Sequence, residues 1–292
     1  MPELPEVETV RRGLNKLTLN QEIGGGDVLL ERTIAHPLSS VDFLAGVAGS
    51  VITQWHRRGK YLLAELSPAG WLGVHLRMTG QLLWLPLQEP LHKHTRVRLF
   101  FTGDSAEGDR FTSQELRFVD QRTFGKMWWV PPGTPPERVI TGLQNLGPDP
   151  FSADFTVEYL ALKLQNRRRP IKTALLDQSL VAGIGNIYAD EALFLSKIQP
   201  TTLCTNLSLK QIARLLEAII QVLQASIDAG GTTFSNFLNV QGINGNYGGV
   251  AWVYNRAGVP CRVCNTPIER IRLAGRSAHF CPQCQQSTCP KN

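Results

Sequence analysis

The sequence predicts an α+β fold: an N-terminal helix leading a β-sandwich, then a helical domain, then a C-terminal four-cysteine zinc ribbon. Three observations carry that prediction. Residues 22–131 read as short strands between turn residues, the hydrophobic period changes after a proline-rich break at 131–136, and two Cys-x2-Cys pairs stand near the C-terminus.

In chain order, Val7, Val10, Leu14 and Leu17 recur at three and four residues and put one apolar stripe on a first helix. Thr95–Phe101 alternates Arg96 and Arg98 with Val97, Leu99 and Phe101, while Tyr61–Leu66, Gly73–Leu76 and Met127–Val130 are apolar runs bounded by glycine or proline. Short strands of this kind bury their faces against each other, which is the sandwich. Pro131-Pro-Gly-Thr-Pro-Pro136 breaks strand and helix alike. The predicted organisation is therefore a first domain at 1–135 with the leading helix and the sandwich, a linker at 136–150, a helical domain at 151–250 and a zinc-ribbon finger at 251–292. Short helices are expected near 155–165, 170–177 and 186–195, then a long amphipathic helix from an N-cap at Ser208 to Ile227, with Gly230 as C-cap. Residues 231–249, rich in Gly, Asn, Thr and Ser, read as a mobile surface loop.

A chain of 292 residues holds roughly two domains. Thirty Lys and Arg against twenty-four Asp and Glu give a net charge of +6, which favours a polyanionic partner weakly. No uninterrupted apolar run approaches a membrane span, and the N-terminus has no signal pattern, so a soluble intracellular protein is expected. No heptad points to an oligomer, and a monomer is expected.

The chemistry starts at residue 2. Removal of Met1 would leave Pro2 as a secondary-amine nucleophile beside the acid Glu3. A terminal amine titrates near ~8 and a lysine near ~10.4, so the former holds roughly a hundredfold more unprotonated amine at neutral pH. Such an amine can attack a sugar C1′ and form an iminium. The same residues also fit an ordinary helix entry, with Glu3, Glu6 and Glu8 facing the helix dipole.

Cys261-x2-Cys264 and Cys281-x2-Cys284, sixteen residues apart, have the spacing of two zinc knuckles, with two disulfides as the alternative. One structural zinc ion per chain follows, with Cys289 outside the ligand set and Cys204 a core thiol. The connection between the knuckles carries Arg270, Arg272 and Arg276, which would suit a phosphate-facing finger.

Met1-Pro-Glu-Leu-Pro-Glu-Val-Glu strongly resembles the start of the formamidopyrimidine-DNA glycosylases, bacterial base-excision repair enzymes, and the resemblance extends along essentially all 292 residues. It implies that Pro2 is the nucleophile after Met1 is removed, with Glu3 managing the proton at the sugar. Lys60, in Arg57-Arg-Gly-Lys-Tyr, matches the family's catalytic lysine, and Arg276, in Ala-Gly-Arg-Ser-Ala-His-Phe-Cys, its finger arginine. Alone, each would read as a solvated charge. Met78, Arg122 and Phe124, at the ends of two strands, match the residues that fill the gap left by a flipped nucleotide, Arg122 pairing with the orphaned cytosine. Gln121 and Thr123 depart from the family pattern, in which Pro and a second Arg often flank that arginine. Gly183-Ile-Gly185-Asn186 resembles the helix–two-turn–helix signature, with Asn186 on phosphate, and Arg167 and His94 align with further DNA contacts. His75 reads either as a phosphate contact or as a satisfied strand histidine.

The resemblance thus implies a bifunctional glycosylase and abasic-site lyase, in the bacterial cytoplasm with the nucleoid, acting on oxidised purines such as 8-oxoguanine and formamidopyrimidines in duplex DNA. Two rivals stand beside it. An endonuclease VIII-like enzyme would share Pro2 and Glu3 but prefer oxidised pyrimidines, and a catalytically silent zinc-ribbon protein would only bind DNA.

Overall fold

The structure is a computed structural model that describes residues 1–68, 70–102, 114–232 and 237–286; Cys289 lies outside them. Two compact units emerge, residues 1–144 with 230–245 and residues 145–229 with 246–292.

The first unit opens with α1 (Leu4–Leu17), whose apolar stripe of Leu4, Val7, Val10 and Leu14 is fully buried. Then follow β1 (Glu22–Val28), β2 (Ile34–His36), α2 (Ser40–Val47), β3 (Ser50–Arg58), β4 (Tyr61–Ser67), β5 (Gly70–His75), β6 (Gly80–Pro86), β7 (Thr95–Thr102), β8 (Gln114–Asp120), β9 (Lys126–Val130) and the single turn α3 (Pro136–Val139). The strands form one sheet in the order β2-β9-β5-β4-β3-β1-β7-β8-β6, antiparallel except for β2 with β9. The sandwich is this one sheet folded over, so that its two halves share a core. Strand β1 pairs with β3 only at Glu22 and Ile23 and continues along β7 past a bulge, so its two ends serve different halves. Ile52, Trp55, Leu62 and Val74 from one half share a core with Leu82, Val97, Leu116 and Phe118 from the other. Helix α1 is fastened to β3 by Asn15, which donates to Trp55 O (3.0 Å) and accepts from Trp55 N–H (2.8 Å).

The second unit contains α4 (Val157–Leu164), α5 (Ile171–Leu175), α6 (Asn186–Leu195), α7 (Leu209–Asp228) and the hairpin β10 (Glu269–Leu273) with β11 (Arg276–Phe280). Ser208 caps α7 in a reciprocal capping box with Gln211, and Gly230 follows its end at φ 74°, the conformation a helix-terminating glycine supplies. The ribbon is packed into this unit. Buried Glu191 on α6 accepts the N–H groups of Trp252, Val253 and Tyr254 at 2.7–2.9 Å, and burial raises its pKa against those bonds. Among the described residues no helix is long and apolar enough to cross a membrane.

Two features differ from the sequence reading. The segment expected as a linker at 136–150 is packed through Gln144 on the first unit, where buried Ile140 lies against Gly73. The segment expected as a mobile loop, 231–249, belongs up to Gly245 with the first unit, not with 151–250. Its residues 233–236 are outside the described set, but Phe237 and Val240 are buried in the sandwich core and Trp84 N–H donates to Val240 O at 2.8 Å. Two apolar residues three apart in a polar run suffice to anchor a segment, and a compositional reading averages them away.

Candidate active site and nucleic-acid interface

The N-terminal tip is built by the start of α1. Glu3 caps the helix in an extended conformation, its O accepting from Val7 N–H (3.1 Å) and its N–H donating to Glu6 Oε2 (2.8 Å). Glu6 Oε1 accepts from Thr232 N–H at 3.0 Å. Both carboxylates are buried, as is Pro2. Glu6 is therefore a buttress of the tip, a role the sequence reading missed, although the Glu3-x-x-Glu6 spacing of a capping box signals half of it. Burial lowers the pKa of the Met1 amine, Glu3 and Glu6 raise it, and Lys60 and Arg122 lower it. The net effect lowers it, and Glu3, Lys60 and Arg122 all act on the amine that directly precedes Pro2.

Lys60 is only 7 % exposed and follows Gly59, whose φ of 57° turns the chain from β3 into β4. His75, at the end of β5, is also buried. Burial first, then Arg77 and Lys60, pushes its pKa down to about 3, so the ring is neutral. Its Nδ1 accepts from Arg77 N–H (3.0 Å), which puts the ring proton on Nε2. The ring is thus a satisfied strand histidine at Nδ1 with one N–H donor at Nε2.

Beside Pro2 lies a cavity of about 370 Å³ whose walls include Met78, Gln81, His94, Gln121 and Phe237. Two loops edge it. The turn from β5 to β6 carries half-buried Met78 after Arg77, at φ 55°, and the turn from β8 to β9 carries Arg122 and Phe124 around Thr123, at φ 60°. The Arg122 guanidinium lies 5.0 Å from the centre of the Phe124 ring, and that ring is 51 % exposed, so it is not a core aromatic. Asp120, the last residue of β8, is buried between the loops. Its Oδ1 accepts from the Thr79 hydroxyl and from Arg122 N–H (3.2 Å), and its Oδ2 from Gly125 N–H (2.7 Å). His94 O accepts from Asp120 N–H (2.9 Å) and His94 Nδ1 meets Arg96 at 3.1 Å.

In the second unit Gly183, at φ 93°, and Gly185, the N-cap, bring the chain into α6 with Asn186 at its first position. Asn186 Oδ1 is buried and has no hydrogen-bond partner among the described residues, so this carboxamide has capacity for a ligand. The arginine triplet is not simply a solvated run. Arg167 (2.9 Å) and Arg169 (2.6 Å) both pair with Asp177 Oδ2, and only Arg168 is exposed. Burial pushes the Asp177 pKa up, but hydrogen bonds from Ser179, Arg169 and Arg167 hold it well below the carboxylate range. Arg167 therefore brings a partly neutralised charge to any phosphate.

The sulfurs of Cys261, Cys264, Cys281 and Cys284 lie within 4.8 Å of one another, with pairs at 3.4, 3.5 and 3.9 Å. A tetrahedron of Zn–S bonds of ~2.3 Å has edges of about 3.8 Å, so the residues fit zinc. With four thiolate ligands no position remains for water, and the site is structural. The hairpin turns at Ala274 (φ 46°) and Gly275 (φ 80°), a type I′ turn that presents Arg276, exposed, at the first position of β11. Behind it, Lys172 Nζ pairs with Asp190 Oδ1 (2.6 Å) and Asp190 Oδ2 accepts from His279 N–H (2.9 Å), all three buried.

Comparisons with known proteins cover the same ground. Family models match residues 1–127 (formamidopyrimidine-DNA glycosylase N-terminal domain), 146–237 (formamidopyrimidine-DNA glycosylase H2TH domain) and 258–286 (a zinc finger found in FPG and IleRS). A formamidopyrimidine-DNA glycosylase of a Nostoc species is 72 % identical over 291 residues, covering 98 % of this chain and 100 % of that protein. Among solved structures, a Lactococcus lactis FPG mutant in complex with Fapy-dG containing DNA superposes with a TM-score of 0.88 at 34 % identity, over 98 % of this chain and 100 % of that one. The L. lactis Fpg in complex with an abasic-site DNA gives 0.87 at the same identity and coverage.

Proposed function

This chain belongs to the formamidopyrimidine-DNA glycosylase family, and on that premise we propose that it excises oxidised purines from duplex DNA and then cleaves the abasic strand, through an iminium on its N-terminal proline. The chain is a DNA glycosylase with a structural zinc ribbon. The observation that supports the finer reading is the buried tip, where Pro2 lines a cavity and Glu3, Lys60 and Arg122 all act on the amine of the residue before it.

The damaged nucleotide leaves the stack, at a cost of a few kcal/mol (~2–4), and Met78, Arg122 and Phe124 offset that cost by occupying its place. The unprotonated amine of Pro2, exposed once Met1 is removed, attacks C1′. The C1′–N bond breaks and the base leaves with its electron pair, taking up the proton that the amine gives up, and Glu3 delivers a proton to the ring oxygen as the C1′–O4′ bond breaks. The iminium so formed acidifies C2′. Loss of a C2′ proton expels the 3′ phosphate, and a second elimination, with Arg276 on the phosphate, expels the 5′ phosphate. Lys60 donates protons along this path. Neutral His75, His94, Arg167 and Asn186 hold phosphates, each unit bringing its own contacts. Zinc, when bound, supplies folding energy to the ribbon that carries Arg276.

Borohydride trapping on lesion duplex tests this. Pro2→Gly, or retention of Met1, should lower trapping sharply, and Lys60→Ala should leave some intact. A cross-linked peptide containing Lys60 instead of the N-terminus would overturn the mechanism. A panel of 8-oxoguanine, a formamidopyrimidine and an oxidised pyrimidine under single-turnover conditions separates the purine enzyme from the endonuclease VIII-like rival.

A further inference from the structure

We propose that Asp120 and Thr79 form a clamp that fixes the two wedge loops to one another, so that Met78 and the Arg122–Phe124 pair enter the duplex as one body. Asp120 is then a positioning residue for reading the opposite base. The inference rests on the wedge assignment above, but the clamp itself is visible in the protein alone.

A carboxylate only 1 % exposed must have its lone pairs satisfied by hydrogen-bond donors or a counter-charge. The donors to Asp120 are the Thr79 hydroxyl, Arg122 N–H and Gly125 N–H, which sit on two turns some forty residues apart in sequence. Arg122 N–H also reaches Thr79 Oγ1 at 3.0 Å, so the hydroxyl is both donor to the carboxylate and acceptor from the opposite loop. Asp120 is fixed in turn, its N–H on His94 O (2.9 Å) and its own O accepting from Arg96 Nε (2.8 Å). Between the two held amides, Arg122 and Gly125, the chain makes a short arch whose middle carries Phe124 and Thr123. A β-branched residue at φ 60° is strained, and it persists because the surrounding bonds over-determine it. One of these is Arg32 Nη2 donating to Thr123 Oγ1 at 2.6 Å. A Cβ at Gly125 would lie 2.4 Å from Phe118 Cζ and 3.1 Å from Asp120 Oδ2, so any larger residue there must displace the buried Phe118 ring. With the arch fixed at both feet, the hydroxyl of Thr79 ties the Met78 turn to it.

The test replaces that hydroxyl and nothing else. Thr79→Val keeps shape and loses the bridge; Thr79→Ser keeps the bridge. Hydrogen exchange of the Arg122 amide in the DNA-free protein should quicken in Thr79→Val and return to wild-type values in Thr79→Ser. Single-turnover excision of 8-oxoguanine opposite C and opposite A should show the C/A ratio falling roughly tenfold in Thr79→Val, the scale of one hydrogen bond to a charged group, with recovery in Thr79→Ser. If Thr79→Val does not fold, Thr79→Ala takes its place. Unchanged Arg122 exchange, or an unchanged C/A ratio in an active protein, overturns the clamp. Wild-type protein that fails to excise overturns the functional reading alone, because the exchange experiment still decides the clamp.

Discussion

Under the proposed function, opposite-base reading falls to Arg122. Its backbone is fixed by Asp120 and Thr79 and its guanidinium lies on the Phe124 ring, leaving donors for a base edge. Cytosine offers acceptors to such a fork, whereas adenine presents a donor. A good bidentate base contact contributes roughly 1–3 kcal/mol of discrimination, so Arg122→Ala should relax the cytosine-over-adenine preference about ten- to a hundredfold. An unchanged ratio in single-turnover excision would transfer the role to Phe124 or to pair shape. A second residue, Glu8, should contribute to acid stability. Burial pushes its carboxyl upward, but hydrogen bonds from Arg11, Arg12 and Arg57 outweigh this and bring the pKa down to about 2 from 4.5. A depressed carboxylate contributes fully above its unfolded pKa and loses its contribution as pH falls through the folded one, so the window is pH 4.5 down to about 2. Urea midpoints across that window should fall less steeply in Glu8→Gln than in wild type; equal slopes would remove Glu8 from the account. Legibility at this scale followed locality. The zinc cysteines lie in two short runs whose spacing could be read directly, whereas Asp120 and Glu6 act on partners 41 and 226 residues away, and no spacing announces such partners.

Helices and hairpins carry these residues, and most were legible because their hydrophobic periods are local. The long helix α7 was found from its cap and its stripe, and it begins and ends within a residue or two of the expected positions. What could not be read was how α5, α6 and β11 are joined. Lys172, Asp190 and His279 come from three elements and meet as a buried charged group directly behind the strand that starts with Arg276. Removing one partner strands the other charge in a medium that cannot solvate it. Lys172→Met should therefore destabilise the second unit by about 3–5 kcal/mol, checked by chemical denaturation followed at Trp252. A loss under 1 kcal/mol (~0.5) would mean that water reaches Asp190.

At the scale of the whole molecule the metal and the path of the chain matter most. Cys261 and Cys281 share a small core with Phe194, Val253 and Ile268, so the ribbon has little apolar mass to hold it without its ion. Chelation, or Cys261→Ser, should release about one zinc per chain and abolish lesion binding while far-UV signals from the sandwich persist; full activity in metal-free protein would contradict this. The chain's return to the first unit was hidden from a reading that assigns domains as consecutive stretches. It has a consequence for synthesis. Gly13 sits where any Cβ would lie 2.4 Å from Val240 Cγ2, and Phe237 joins the same core. A nascent chain that has passed residue 144 owns every strand of the sandwich yet still lacks the plug that seals it against α1. About a hundred further residues must leave the ribosome, at some 5–20 per second, before that plug arrives. For those seconds the unfinished protein shows the solvent an apolar notch along α1, and it is then that a chaperone has something to hold.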